Sequence, residues 1–369
     1  MKFRILHTEW SSGWGGQEQR IILECRKMME LGHFVIIACQ PGSGILAAAR
    51  REGIAAEEVI IRGGWDLAAV MDIRRLIRKH DITLVNTHSG KDTWVGGIAA
   101  KLAGVGFFRT RHLSLRVSNS PFNFIHRLAD GIITTGEAIR EELISHNRVA
   151  PDRVVSIATG VNVDRFNPET VQKKSRLAEE LGVPPDCRVV TMVAVLRSMK
   201  RHDLLVEAAV QVRALCPSVR FLVVGDGPCR EVTERLVRER ALADIFVFTG
   251  HRSDIPAIFA LSDVVVLTSD RNEGVPQSLS QAMAMARPVV ASPIGSIPEL
   301  VRDGITGLLA DPGSAPSFAE QIVRLLNNDG LRLSLGIAAR KHIVGHYTDD
   351  AMALATASFY ARMTGQGGR

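Results

Sequence analysis

Between Asn272 and Met285 the chain reads NEGVPQSLSQAMAM, which sets a carboxylate, a glycine and a proline directly ahead of a helical pattern. Glu273 and Gly274 follow the apolar run Val264 to Thr268. Pro276 stands where a first-turn proline loses nothing, because its missing N–H would have no helical partner there. A helix starting at about Pro276 directs backbone amides of Gly274, Val275, Gln277 and Ser278 past the strand end, where the positive helix terminus favours a phosphate. Glu273, just outside that turn, can accept hydrogen bonds from sugar hydroxyls. A sugar joined to a phosphate suits both groups.

Other residues join this group by position. Arg197 and Lys200, in AVLRSMK, lie three residues apart where a strand-like run gives way to a helix, and two cations there can neutralise a diphosphate and support its departure. In SSGWGGQE, after the first strand pattern, Gly15 and Gly16 allow the backbone to approach a phosphate or sugar closely, although a purely structural turn reads as well. This is not the G-x-G-x-x-G dinucleotide fingerprint, and no acidic residue ends the second strand pattern, which disfavours a nicotinamide enzyme. His112 in RTRHLSL and His88 in NTHSGKD each end a strand pattern and are candidates for contact with a sugar. Gly225 and Gly227 in VVGDGP read as a turn that any such domain could use. Gly250, His251 and Arg252 follow another strand, on the expected path of a nucleotide base.

The elements that must position these residues alternate regularly. Strand patterns fall at Phe3 to His7, Phe34 to Cys39, Thr83 to Asn86, Gly106 to Thr110, Gly131 to Thr135 and Val154 to Ala158. A second series runs through Arg188 to Leu196, Arg220 to Val224, Ile245 to Thr249, Val264 to Thr268 and Pro288 to Ser292. Helical patterns lie between them. Such alternation predicts an α/β protein of two doubly wound parallel-sheet, Rossmann-like domains, residues 1–165 and 166–348, facing a central cleft, with a final helix in 349–369 crossing back to the first domain. In such sheets ligands bind at the carboxyl ends of the strands, which is where every candidate residue falls.

A chain of 369 residues suits two domains, and 46% apolar with 23% charged residues is ordinary for a globular protein. No run of about 18 apolar residues predicts a membrane span, and the N-terminus lacks a secretion-signal pattern. Five scattered cysteines show neither metal-site nor disulfide spacing, which suits the cytosol. The formal charge of +6 is uneven: residues 1–165 hold 22 Lys and Arg against 17 Asp and Glu, and the remainder 23 against 22. The basic half could meet an anionic membrane surface or a diphosphate-bearing acceptor, or could be a solvated face.

The motifs VVGDGP, ALSDVVVLTS, EGVPQSLSQAMAMARPVVAS and IGSIPELVRDGITGLLADP, with GGQE, NTHS, TRH and ATGVNVDRFNP in the first half, make the chain similar to the family 4 retaining glycosyltransferases. The resemblance covers almost the whole chain and implies the GT-B fold. It also implies a nucleotide-diphosphate sugar held mainly by the C-terminal domain, an acceptor held mainly by the N-terminal domain, and transfer with retention at the anomeric carbon. No cofactor and no metal are implied, since Arg197 and Lys200 take the metal's part. Within the resemblance Glu273 holds the donor sugar, Gln281 the ribose, and His112 orients the sugar, with Gly15 and Gly16 on the opposite wall. Three positions depart from the family pattern. Gln281 replaces a glutamate, Val195 stands where the family has an arginine, so that Arg197 substitutes for it, and Pro276 removes one amide.

The expectation is therefore a metal-independent retaining hexosyltransferase that serves a cell-envelope polysaccharide or lipid-linked acceptor, with no nucleic-acid partner. It would act in the cytoplasm, at the inner face of the membrane. Two alternatives compete at this point: a non-catalytic nucleotide-binding partner subunit, which the Gln281 and Val195 departures allow, and a nucleotide-sugar epimerase, for which a second carboxylate is lacking.

Overall fold

A computed structural model describes residues 2–365, apart from 113–117, 119, 121–122, 172–174 and 272. The chain divides into two units, Met1–Gly160 together with Asp349–Arg369, and Val161–Thr348. The change of unit falls a few residues ahead of Arg165.

The first unit is built on strands β1 (Arg4–Glu9), β2 (Phe34–Cys39), β3 (Ala55–Glu58), β4 (Leu84–Thr87), β5 (Gly106–Arg111), β6 (Gly131–Thr134) and β7 (Val154–Ser156). They form one sheet in the order β3-β2-β1-β4-β5-β6-β7, every neighbour parallel. Successive side chains on a strand point to opposite faces, and both faces are covered. Leu6, Ile36, Val85, Phe107 and Ile132 pack on one side with Ile73, Val95 and Ala99. Their immediate neighbours Ile5, Ile37, Leu84, Phe108 and Ile133 pack on the other with Ile21, Met28 and Leu46. This double burial is why the strands read as continuous apolar runs. β3 is the exception: its sequence AAEE carries no strand former, and only pairing along β2 makes it an edge strand.

The C-terminal helix Asp349–Gly365 belongs to this unit and completes its core. Met352, Phe359 and Tyr360 are buried with Phe3, Ile5 and Phe108. The Tyr360 ring meets Phe108 edge-on at 4.6 Å, and its hydroxyl accepts from Asn86 Nδ2 at 2.8 Å and donates to Glu24 Oε1 at 3.4 Å. A Cβ at Gly131 would stand 2.7 Å from the Phe359 ring, so β6 needs a glycine for the helix to dock.

The second unit holds β8 (Arg188–Val193), β9 (Val219–Val224), β10 (Phe246–Gly250), β11 (Val264–Leu267), β12 (Val289–Ala291) and β13 (Leu308–Leu309). Again all are parallel, in the order β10-β9-β8-β11-β12-β13. The two-residue β13 is too short to give a sequence pattern. In each sheet the winding reverses at one pair of neighbours, β1/β4 in the first and β8/β11 in the second. At such a reversal the loops leaving the two strands diverge to opposite faces and open a crevice at the strand ends.

Candidate active site

In the second unit the reversal at β8/β11 is where Lys200 and Glu273 are brought together. After β8 the chain makes a short 3-10 turn, Ser198–Lys200, and β11 fastens it. The Thr268 hydroxyl bonds to the carbonyls of Lys200 at 2.9 Å and Arg201 at 2.8 Å, and the Asp270 amide donates to the Met199 carbonyl at 3.1 Å. Arg201, left-handed at φ +52°, is held by Asp203 and Asp270. Lys200 Nζ thereby lies 2.5 Å from Glu273 Oε1. Glu273 is only 6% exposed, and a carboxylate so deep in protein needs a partner such as this one.

Three glycines allow the loops to converge. A Cβ at Gly225 would lie 2.1 Å from the Ala194 carbonyl, and one at Gly227 2.6 Å from that of Leu196, both at positive φ. The Leu196 amide in turn donates to the Asp226 carbonyl at 3.0 Å, so the VVGDGP turn braces the loop that carries Arg197 and Lys200. Gly295, at φ +57°, would place a Cβ 2.1 Å from the Glu273 carbonyl, to which the Ser296 amide donates at 3.2 Å. Glu273 is thus held by its side chain on Lys200 and by its backbone on the loop after β12.

The helix after Glu273 spans Gln277–Ala284, with Pro276 as its N-cap rather than its first residue. Pro276 itself supplies no side-chain cap. Gly274 and Val275 are buried beside Glu273, while Gln277, Ser278 and Gln281 are half-buried on the helix. Arg197 does not share the contact of Lys200 with Glu273. It is exposed, and its side chain makes no hydrogen bond or ion pair among the described residues. Around β10, the Gly250 carbonyl accepts from the Gly225 amide at 2.9 Å and His251 is exposed. Arg252 is held by Asp254 and Glu180, each at 2.8 Å, which leaves it poorly placed to reach for a base. Asn272 lies outside the described residues.

In the first unit the reversal at β1/β4 gathers Gly15, Gly16, His88 and His112 near the strand ends. Gly15 caps the helix Gly16–Glu30, and its amide donates to Glu18 Oε2 at 2.8 Å. His88, after β4, lies between two other rings: its Nε2 is 2.8 Å from His7 Nδ1 and its Nδ1 is 3.0 Å from His112 Nε2. Burial, then the charge of Arg20, holds His7 at about 3. Burial also pulls His88 and His112 well below the ordinary histidine range, so all three are neutral at pH 7. Leu113 to Leu115 of the RTRHLSL motif lie outside the described residues.

Two acidic side chains that sequence reading passed over lie here as well. Glu9 ends β1 fully buried, accepting from the Ser11 amide at 2.7 Å and from Gln17 Nε2 at 2.5 Å. Asp92 accepts from the His88 and Ser89 amides, both at 2.8 Å, and from Thr8 Oγ1 at 3.0 Å. Burial, followed by the charge of Asp92, pushes Glu9 up to about 8. Burial raises Asp92 as well, against the donors aimed at it that pull it down, and the raised Glu9 leaves the pair holding a proton at pH 7. Neither Glu9 nor Thr268 and Gly295 of the second unit has a spacing that marks it; each is recognisable only from what the fold brings beside it. Among the described residues no three His, Cys, Asp or Glu side chains form a group suited to a metal ion.

Residues 14–165 match the family model Glycosyltransferase Family 4, and residues 173–342 match the model Glycosyl transferases group 1. Among curated proteins, a D-inositol 3-phosphate glycosyltransferase of Corynebacterium aurimucosum is 26% identical, over 91% of this chain and 89% of its own. A UDP-Gal:alpha-D-GlcNAc-diphosphoundecaprenol alpha-1,3-galactosyltransferase of Escherichia coli is 28% identical, over 73% of this chain and 72% of its own. Among solved structures, a glycosyltransferase of Rickettsia africae superposes with a TM-score of 0.88 at 23% identity, covering 98% of this chain and 99% of that one. The Anabaena protein HepE, crystallised with UDP and glucose, does so with 0.86 at 21% identity, covering 98% and 100%.

Proposed function

The chain belongs to the family 4 glycosyltransferases, enzymes of GT-B fold that use nucleotide sugars, and on that premise we propose that it is a metal-independent hexosyltransferase that retains anomeric configuration. The observation that carries this reading is the Lys200–Glu273 pair at the β8/β11 reversal, beside the N-terminus of the helix Gln277–Ala284. A nucleotide-diphosphate hexose suits each part. Its diphosphate takes over Lys200, with Arg197 free to swing onto the same charge, and the amides of Gly274, Val275, Gln277 and Ser278 add their dipoles. Glu273, relieved of Lys200, accepts hydrogen bonds from hexose hydroxyls. Gln281 serves the ribose diol as an amide in place of a carboxylate. His112 faces bound saccharide in the first unit, with Gly15 and Gly16 as points of close backbone approach.

In the proposed reaction an acceptor hydroxyl attacks the anomeric carbon from the face that the diphosphate leaves. The carbon–oxygen bond to phosphate breaks as the bond to the acceptor forms. The acceptor's proton passes to the departing phosphate oxygen, so the protein need supply no nucleophile. Lys200 and Arg197 stabilise the charge that builds on the leaving group, which is the part a divalent ion plays in other designs. The E. coli relative points to a UDP-hexose and a lipid-linked saccharide as the first substrates to try.

The first unit also carries a surface suited to an anionic bilayer. Trp65 is 67% exposed and lies 4.7 Å from Trp94, with Phe124 beside both, while Leu67 and Met71 on the following helix are 73% and 54% exposed. Arg62, Arg75, Arg78 and Lys91 lie exposed nearby in sequence. Tryptophan beside exposed aliphatic and cationic side chains is the composition of a membrane-surface contact, and it supports action on a lipid-linked acceptor at the cytoplasmic face.

The test is incubation of the protein with UDP-glucose or UDP-galactose and a saccharide diphosphate lipid, with and without EDTA, reading UDP release and the anomeric proton of the product by NMR. Transfer that survives EDTA and keeps the donor configuration supports the proposal. Inversion, or loss of turnover that Mg2+ restores, would overturn it.

A further inference from the structure

His7, His88 and His112 form a continuous string of three imidazoles across the β1/β4 reversal. The rings stack as well as bond, with centroids 5.1 Å apart for His7 and His88 and 5.3 Å for His88 and His112. His7 and His88 are buried, and His112, at the outer end, is half-buried. His7 Nε2, at the inner end, is enclosed and has no hydrogen-bond partner among the described residues.

Each neutral imidazole carries one N–H, and each of the two ring-to-ring bonds needs one proton. Only two arrangements satisfy both bonds. In the first, protons sit on Nδ1 throughout, so His7 donates to His88, His88 donates to His112, and His7 Nε2 is a bare lone pair. In the second, protons sit on Nε2 throughout, His112 donates inward, and His7 Nε2–H is a buried donor facing nothing. Enclosed N–H groups without acceptors are rarer in proteins than under-used acceptors. Arg20 is fully buried and acts electrostatically on all three rings, and its Nε and Nη2 make no hydrogen bond among the described residues. Glu24, the counter-ion of Arg20 at 3.5 Å, and Asp92, which accepts from the His88 amide, are the carboxylates of the surrounding elements, and Arg109 adds positive charge on the His112 side.

We propose that His7 and His88 are positioning residues that lock His112 in its Nδ1–H tautomer, so that it meets bound saccharide only as a hydrogen-bond donor. This deepens the proposed function, since it rests on His112 facing the sugar. Reversing His112 to an acceptor would require moving a proton on each of three rings and leaving a donor stranded at the enclosed His7 Nε2. The saccharide atom opposite His112 must therefore offer a lone pair, as a hydroxyl or amide carbonyl oxygen does.

The direct test uses the full chain labelled with 15N, reading long-range proton–nitrogen correlations of the three side chains at pH 7.5. Nδ1–H on all three rings is expected, against the Nε2–H form that free neutral histidine prefers. Nε2–H on His112 would overturn the proposal, and this reading needs neither substrate nor variant. His88→Leu should release the lock, so that His112 shows both tautomers while UDP-glucose turnover falls several-fold. A His112 that keeps the single Nδ1–H form in that variant would remove the role of His88. His112→Asn places an amide where Nδ1 was, and His112→Gln where Nε2 was, so Asn should retain several-fold more turnover of UDP-glucose than Gln. The opposite order overturns the donor assignment. His112→Ala with undiminished turnover, beside intact Nδ1–H signals in the native protein, would instead reject the sugar-facing role of His112.

Discussion

Lys200 pairs with a buried Glu273, and that gives the pair two separate readouts. Lys200→Ala removes the transition-state charge and should lower kcat/KM by roughly 100-fold, about 3 kcal/mol. It also strands a carboxylate that is 6% exposed, so thermal stability should fall too. Adding Glu273→Gln removes the stranded charge. The double variant should regain stability while turnover stays low, which scanning calorimetry and UDP release measure independently. Recovery of both together would mean the pair is structural. Glu9 gives a second prediction at this scale. Its folded value of about 8 lies above the unfolded value of 4.5, so below pH 4.5 both states hold the proton and nothing is lost. Between pH 4.5 and about 8 the unfolded chain ionises while the folded one does not, and stability declines as pH rises. Glu9→Gln has no proton to lose. Its unfolding midpoint in urea should decline less than that of the native protein from pH 5 to pH 8, and equal declines would place the proton elsewhere.

Elements decide whether those residues meet at all, and they differ in how plainly the sequence shows them. The interior strands were readable because burial on both faces leaves runs such as Val264 to Leu267 without interruption. β3 was not, because AAEE acquires its conformation from β2 and not from its own composition. The same division holds in the site. Glu273 and the helix after it were legible from a carboxylate, a glycine and a proline ahead of a helical pattern, but Pro276 caps that helix from outside it. Spacing places Arg197 near Lys200, yet spacing cannot report that the 3-10 turn brings only the lysine onto Glu273. Gly225 and Gly227 looked like an ordinary turn, since the backbone they admit belongs to Ala194 and Leu196, some thirty residues away in sequence. Gly295 makes the strongest case for contacts of this kind. Its left-handed φ costs any other residue about 1 kcal/mol, and a Cβ at 2.1 Å from the Glu273 carbonyl forces that backbone to move. Gly295→Ala should therefore reduce UDP-glucose turnover much as Glu273→Gln does, although residue 295 itself bears no chemistry. Full activity in that variant would show that the loop after β12 does not hold Glu273.

At the scale of the whole molecule the chain leaves its first unit at Gly160, builds the second, and returns at Asp349 to finish the first. The first unit is therefore assembled from the two ends of the sequence, and its core cannot close until the last helix has been made. All four tryptophans, Trp10, Trp14, Trp65 and Trp94, belong to that unit, so intrinsic tryptophan emission follows its unfolding alone, whereas far-UV circular dichroism follows both units. Phe359 is the sharpest probe of the closing helix, being 3% exposed, packed at 6.0 Å against Phe108, and seated over Gly131. Replacing it with alanine removes most of a buried ring and leaves a cavity that the sheet cannot collapse to fill, at a cost of about 3–5 kcal/mol. Phe359→Ala should thus shift the tryptophan transition in urea to clearly lower concentration and leave the remaining dichroism transition in place. Because Lys200 and Glu273 belong wholly to the second unit, UDP binding by the variant, followed by calorimetry below the urea range that unfolds the first unit, should stay near that of the native protein. A common shift of both transitions, or loss of UDP binding along with the tryptophan signal, would show that the two units fold as one and that the return of the chain at Asp349 organises more than the sheet it completes.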